Sequence, residues 1–207
     1  MARTLGSYAQ STAPKVTEHA LRLFAQHGYA AVSMRQIAKE VGVQVGTLYN
    51  YTPDKQTLLF DIMKRHLEDL LSAWSLRPHK TDPVLCLRDF IEFHLRYHMQ
   101  KQDAVFVSYM ELRSLTSENF IFVEKLRGQY ETILEEILSQ GQSAGLFLVS
   151  DPKVTTLAVI GMLKEVITWY KPEGRLTLEE IIEIYQGMIA DILHVGLNKN
   201  DPLRVMS

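Results

Sequence analysis

The chain has 207 residues, 46% of them hydrophobic and 22% charged, close to an ordinary globular composition. That excludes a collagen-like, mucin-like or disordered chain and leaves material for a sizeable core in one or two domains. The net charge of −2 hides a split. Residues 1–66 hold eight Lys/Arg against four Asp/Glu, a net +4, and the remainder carries −6, so any polyanion should meet the first third. The single cysteine, Cys86, cannot build an internal disulfide, and it reads as a small buried residue on a helix. The opening MARTLGSYAQSTAPK lacks the apolar core of a signal peptide. The longest apolar-leaning run, residues 154–163, is too short to span a bilayer. Together these features predict a soluble, cytoplasmic chain without a membrane partner.

Helical periodicity dominates, and strand alternation is nearly absent. A first helix is predicted over 14–27, with Val16, Ala20, Leu23 and Phe24 on one face and Gly28 as its stop. Ser33 and Gln36 form a capping box for a second, short helix with Ile37, Ala38 and Val41 inward, ended by Gly42. A third runs over 45–51 with Leu48 inward. Asp54 caps a long fourth helix whose apolar stripe runs from Leu58 to Trp74. Asp82-Pro83 starts the next helix, with Phe90, Ile91, His94 and His98 on one face. Helices over 103–113 and 117–142 follow. Asp151-Pro152 starts a helix that is apolar nearly all round. Thr177 with Glu180 caps a last, broadly striped helix. From Asn198 the tail reads as polar and frayed.

Residues 33–51, two short helices joined through Gly42, match a helix-turn-helix. Ala38 must be small where the helices cross, and Gly42 must accept a positive φ. Val43 and Leu48 fill the joint. The second helix can then turn Gln44, Val45, Gly46, Thr47, Tyr49, Asn50 and Tyr51 toward a major groove. Gln44 and Asn50 suit base edges, and Val45 suits a thymine methyl. The hydroxyls of Thr47, Tyr49 and Tyr51 suit phosphates, and Gly46 lets backbone approach closely.

Phe24-x3-Gly28-Tyr29 followed by SMRQIAKEVGVQVGTLYNYTPDKQTLL over 33–59 resembles the TetR/AcrR family of transcriptional regulators. The resemblance implies an all-α fold. An N-terminal three-helix helix-turn-helix domain (1–54) would precede a larger helical effector-binding and dimerisation domain (55–207). It also implies a homodimer, usually a repressor, on near-palindromic double-stranded operator DNA. Carried over by position, Gln44, Val45, Gly46, Thr47 and Asn50 are base-facing, and Ser33, Arg35, Tyr49, Tyr51 and Lys55 are candidates for phosphate contact. One departure is Thr52, where the family usually carries an aromatic.

For a small-molecule effector, the candidate lining residues are Phe90, His94, Phe106, Tyr109, Met110, Arg113, Met162 and Trp169. Most would be core residues if no cavity formed. The segment Trp169-Tyr170-Lys171-Pro172-Glu173-Gly174-Arg175 resembles the ends of regulators that sense acyl-CoA thioesters, and an aromatic or drug-like effector is the competing expectation. The last two long helices expose more apolar surface than one subunit can cover, which predicts pairing with symmetry mates. No cofactor or metal is called for. His94 and His98 stand one turn apart but lack a third ligand at a motif spacing. Gly141-x-Ser143-x-Gly145 lies on a predicted helix rather than at a strand–helix elbow. An enzyme finds no support, and a helical interaction module without DNA binding is the alternative class.

Overall fold

The structure, a computed structural model, describes residues 5–78 and 80–195; the tail read from Asn198 lies outside the described residues. Helices run in the order α1 (Leu5–His27), α2 (Met34–Val41), α3 (Val45–Leu48), α4 (Lys55–Ser75), α5 (Pro83–Gln100), α6 (Gln102–Met110), α7 (Ser117–Ser143), α8 (Pro152–Trp169) and α9 (Leu178–Ile192), with a 3-10 turn at Leu112–Ser114. Among the described residues there is no strand.

Most starts follow from short polar side chains that satisfy the first orphan N–H groups of a helix. The Ser33 hydroxyl accepts from Gln36 N–H, and the Gln36 side-chain Oε1 accepts from Ser33 N–H, completing the expected box. Asp54 Oδ1 accepts from Thr57 N–H, Asp82 Oδ1 from Val84 and Leu85, and Asp151 Oδ1 from Val154. Thr177 and Glu180 form the second box. Gly42 sits at φ +78°, a left-handed conformation that costs a residue with a Cβ about 1 kcal/mol or more.

Three boundaries differ from expectation. α1 starts at Leu5 and carries Pro14 inside it. α3 stops at Leu48, and residues 49–51 continue as turns. At that end the Tyr49 N–H turns back to the Thr47 carbonyl rather than continuing the helical pattern. α6 ends at Met110, and the chain tightens into the 3-10 turn.

The chain forms two compact units. The first comprises Met1–Leu70 and Lys101–Leu126; the second comprises Leu71–Gln100 and Arg127–Ser207. The cut expected after Asp54 falls inside the first unit. That unit packs around Phe24, Ile37, Leu48, Leu59 and Met63, all fully buried. Burial of each such side chain contributes about 1.5–3 kcal/mol. The second packs α5 against α8 and α9, around Phe90, Ile91, Leu134, Leu138 and Leu163. The 141–145 motif closes α7. A Cβ at Gly141 would lie 2.0 Å from the Phe147 ring, so this glycine serves packing. Cys86 is half-buried rather than enclosed, and its thiol points to the Lys80 carbonyl at 3.1 Å.

Candidate nucleic-acid interface and effector region

Leu48 is fully buried, while Gln44, Gly46, Thr47, Tyr49 and Asn50 are exposed. Val45 and Tyr51 are half-buried. The alternation follows from a single turn of helix anchored by one apolar side chain: whatever does not point with Leu48 points away from the core. Ser33 and Arg35 are exposed at the start of α2. The Ser33 hydroxyl is already engaged with Gln36, 2.8 Å from Oε1. A Cβ at Gly46 would meet nothing within 4 Å, so the fold itself does not require a glycine there. Thr52 is buried, and its hydroxyl donates to the Asp54 carbonyl at 3.0 Å. A small side chain with an internal partner thus occupies the place where an aromatic was expected.

Lys55 makes contacts within the fold that its place in the sequence does not display. Its ammonium donates to the carbonyls of Tyr29 (2.8 Å) and Val32 (2.7 Å) and lies 4.2 Å from the centre of the Tyr29 ring. Burial lowers its pKa, with the Glu111 carboxylate acting the other way. These two bonds tie the start of α4 to the 28–32 loop and leave the ammonium one further N–H. Asp54 next to it is held below the usual carboxylate range, chiefly by Thr57 N–H.

The eight expected effector residues do not share one described cavity. Phe106, Met110 and Arg113 are exposed and Tyr109 half-buried, all in the first unit. The other four belong to the second. There Phe90 and His94 are fully buried and join Tyr130, Trp74 and His98 in one ring cluster. The His94 and His98 rings stack with centroids 3.9 Å apart. His98 Nδ1 lies 2.8 Å from the His94 carbonyl, which can only accept, so that nitrogen carries its proton. His94 Nδ1 pairs with the Tyr130 hydroxyl at 3.2 Å, and its Nε2 has no hydrogen-bond partner. Burial first, and the neighbouring His98 second, hold His94 well below its ordinary pKa, so it is neutral. Among the described residues no group of three or more His, Cys, Asp or Glu could hold a metal ion.

Met162 is half-buried on α8. Trp169, half-exposed, lines a surface pocket of about 270 Å³ with Tyr170, Lys171 and Arg175. A second cavity of about 210 Å³, containing none of the eight, lies beside Trp74, Cys86 and Ile137. On its wall Arg77 grips Asp89 with two nitrogens, and Lys80 stands 3.4 Å from the same carboxylate. No local pattern in the sequence singles out Arg77 or Asp89. Tyr130 left one signal, a hydroxyl placed in the otherwise apolar stripe of α7.

The family model "Tetracyclin repressor-like, C-terminal domain" matches residues 80–193, more than half of the chain. The model "Bacterial regulatory proteins, tetR family" matches residues 16–62. The chain belongs to the TetR family. Within it, the transcriptional repressor KstR2 of Rhodococcus jostii is 22% identical over 83% of this chain and 86% of its own length. The crystal structure of the TetR regulator PfmR from Thermus thermophilus superposes with a TM-score of 0.77 at 30% identity, covering 88% of this chain and 99% of that one. AibR, solved in complex with isovaleryl coenzyme A and operator DNA, superposes with a TM-score of 0.78 at 28% identity, covering 89% and 99%. The exposed face around Gly46 thus lies in the helix-turn-helix of a TetR regulator. No described helix is long and apolar enough to cross a membrane.

Proposed function

We propose that the protein is a homodimeric repressor that binds a near-palindromic operator through α2 and α3 and is released by a small effector bound within residues 55–207. The observation that carries this reading is the face around Gly46. Five exposed residues surround the single buried anchor Leu48, and the fold does not itself demand the glycine. Gly in a helix costs about 1 kcal/mol against Ala, and close approach of a DNA backbone is a reason to keep it. Gln44, Val45, Thr47 and Asn50 are the base-facing set. Arg35, Tyr49 and Tyr51 are the phosphate set, with Ser33 and Lys55 secondary because their polar groups also bond within the fold.

Dimerisation is supported by apolar residues left exposed on the last two helices. They include Val154 and Leu157 on α8, and Ile184, Met188 and Ile192 at four-residue spacing on α9. Two such faces from two copies make a four-helix interface. For the effector, aromatic faces and cations at Trp169, Tyr170, Lys171 and Arg175 suit an adenine–phosphate end, and AibR is a relative solved with an acyl-CoA. α4 runs from the first unit into the second at Leu70–Leu71. A ligand that shifts this helix changes the separation of the two α3 copies from the roughly 34 Å of one DNA turn.

Selection from a random duplex pool, followed by titration at several salt concentrations, tests the reading. The expected product is a two-fold site with half-sites one turn apart. Tyr49→Ala should weaken binding to every duplex, whereas Asn50→Ala should flatten preference at one base position by about 1–3 kcal/mol. A pool that stays random after selection overturns the DNA-binding reading. Thermal shift with acyl-CoAs of graded length tests the effector; no stabilisation by any of them sets the acyl-CoA version aside for an aromatic one.

A further inference from the structure

We infer that Glu111, at the C-terminal end of α6, is a positioning residue for DNA binding: its carboxylate fixes the 28–32 loop that sets the start of α2. The inference rests on the DNA-binding reading above and adds the element through which the angle of the helix-turn-helix is held.

Three side chains converge on Tyr29, and together they engage all of its polar groups. Glu111 Oε1 accepts from Tyr29 N–H at 2.9 Å. Lys55 donates to the Tyr29 carbonyl at 2.8 Å and to the Val32 carbonyl at 2.7 Å. Gln56 Nε2 reaches the Tyr29 hydroxyl at 3.4 Å. The ring itself is held edge-on against Phe24, with centroids 5.3 Å apart, and beneath the Lys55 ammonium. Val32, one residue before the Ser33 cap, is buried. A displacement of Tyr29 therefore passes through three residues to the start of α2, and α2 packs on α3.

The other end of the network is equally fixed. Glu111 Oε2 accepts from the Ser114 hydroxyl at 2.7 Å. Gln56 Nε2 donates to the Ser114 carbonyl at 2.8 Å, and Gln56 Oε1 accepts from Thr116 N–H at 3.2 Å. Both carboxylate oxygens of Glu111 and both ends of the Gln56 amide are thus committed to joining the 3-10 turn after α6, the start of α4 and the loop before α2. α6 also packs along α1, so the turn cannot shift without dragging the loop or breaking these bonds. Such bonds to a charged acceptor are stronger than neutral ones.

The sign of the effect separates positioning from a bystander charge. Removing an acidic residue from a DNA-binding unit lowers phosphate repulsion and by itself tightens binding. Loss of positioning weakens it. The test uses the full-length chain, the duplex recovered by selection and a scrambled duplex, with Glu111→Ala and Glu111→Gln. The amide oxygen of the Gln variant can still accept from Tyr29 N–H. Glu111→Ala should bind the selected duplex roughly tenfold more weakly with the slope of log K against log salt unchanged, because no phosphate contact is lost. Glu111→Gln should stay within about twofold of the parent. Hydrogen exchange without DNA should show Tyr29 and the α2 amides opening roughly tenfold faster in the Ala variant, with α9 unchanged. Equal or tighter DNA binding by the Ala variant, an equal loss in the Gln variant, or unchanged exchange at residues 29–41 each overturns the inference. If the parent binds no duplex, the DNA-binding reading fails, while the exchange measurement still decides whether Glu111 holds the loop.

Discussion

The first unit sets its helix starts and loops with polar contacts, and the second sets its interior with rings. In the first, Ser33, Gln36, Asp54, Lys55 and Gln56 each spend side-chain hydrogen bonds on backbone groups. One buried leucine anchors α3. In the second, Phe90, Tyr130, Trp74, His94 and His98 touch one another, and polar atoms appear inside as exceptions such as His94 Nε2 and Thr156 Oγ1. The difference suits the two tasks proposed above: a recognition surface must hold a few exposed groups at fixed angles, and an effector site needs a mostly apolar lining with a few placed polar groups.

Substitutions break this comparison by unequal amounts. Phe90→Ala should cost the most, about 3–5 kcal/mol by chemical denaturation, since the ring is fully buried between Trp74 and Tyr130. A loss under about 1 kcal/mol would show that the second unit's interior is not built on this cluster.

Acid should act next. Burial, aided by the Lys101 charge, pushes the His66 imidazole in the first unit down from 6.5 to about 4. Below pH 6.5 the unfolded chain binds a proton that the folded chain refuses until about pH 4. The stability is therefore fully present above pH 6.5 and is lost as pH falls through that window. At pH 5 the loss from this residue is about 2 kcal/mol. Urea melts at pH 7 and pH 5 should show His66→Leu losing less than the parent, and an equally steep loss would remove His66 as the cause. His94 shifts in the same direction, so a slope remains in the variant.

Ser33→Ala should act least, about 1 kcal/mol, and on the first unit. Hydrogen exchange would place the added opening in α2; a uniform rise through α5 and α8 would contradict the separation drawn here.

Legibility in the sequence followed the range of each interaction. The Ser33–Gln36 box, the Asp54 and Asp151 caps and the Gly42 turn join residues two to five apart, and the pattern of the chain displays them. The two bonds of Lys55 are not legible in the sequence because its partners, Tyr29 and Val32, lie 26 and 23 residues away. A lysine at the start of a helix looks free until the fold brings carbonyls to it. Glu111 and Tyr29 are 82 residues apart and carry no motif. The effector residues were chosen by residue type on helical faces, and the same faces serve as core, as surface or as pocket wall. Phe90 and Met110 read alike in sequence, yet one is fully buried and the other is 64% exposed.

By itself the sequence determined the all-helical chain, the helix-turn-helix with its buried Leu48 and outward Asn50, and the family, because caps, turns and apolar periods are written in neighbouring residues. The tertiary structure alone decided that Lys55 clamps a loop, that Glu111 closes a network on Tyr29, and which aromatics lie inside. Those outcomes depend on which distant groups arrive at hydrogen-bonding distance, and only the packed chain sets that.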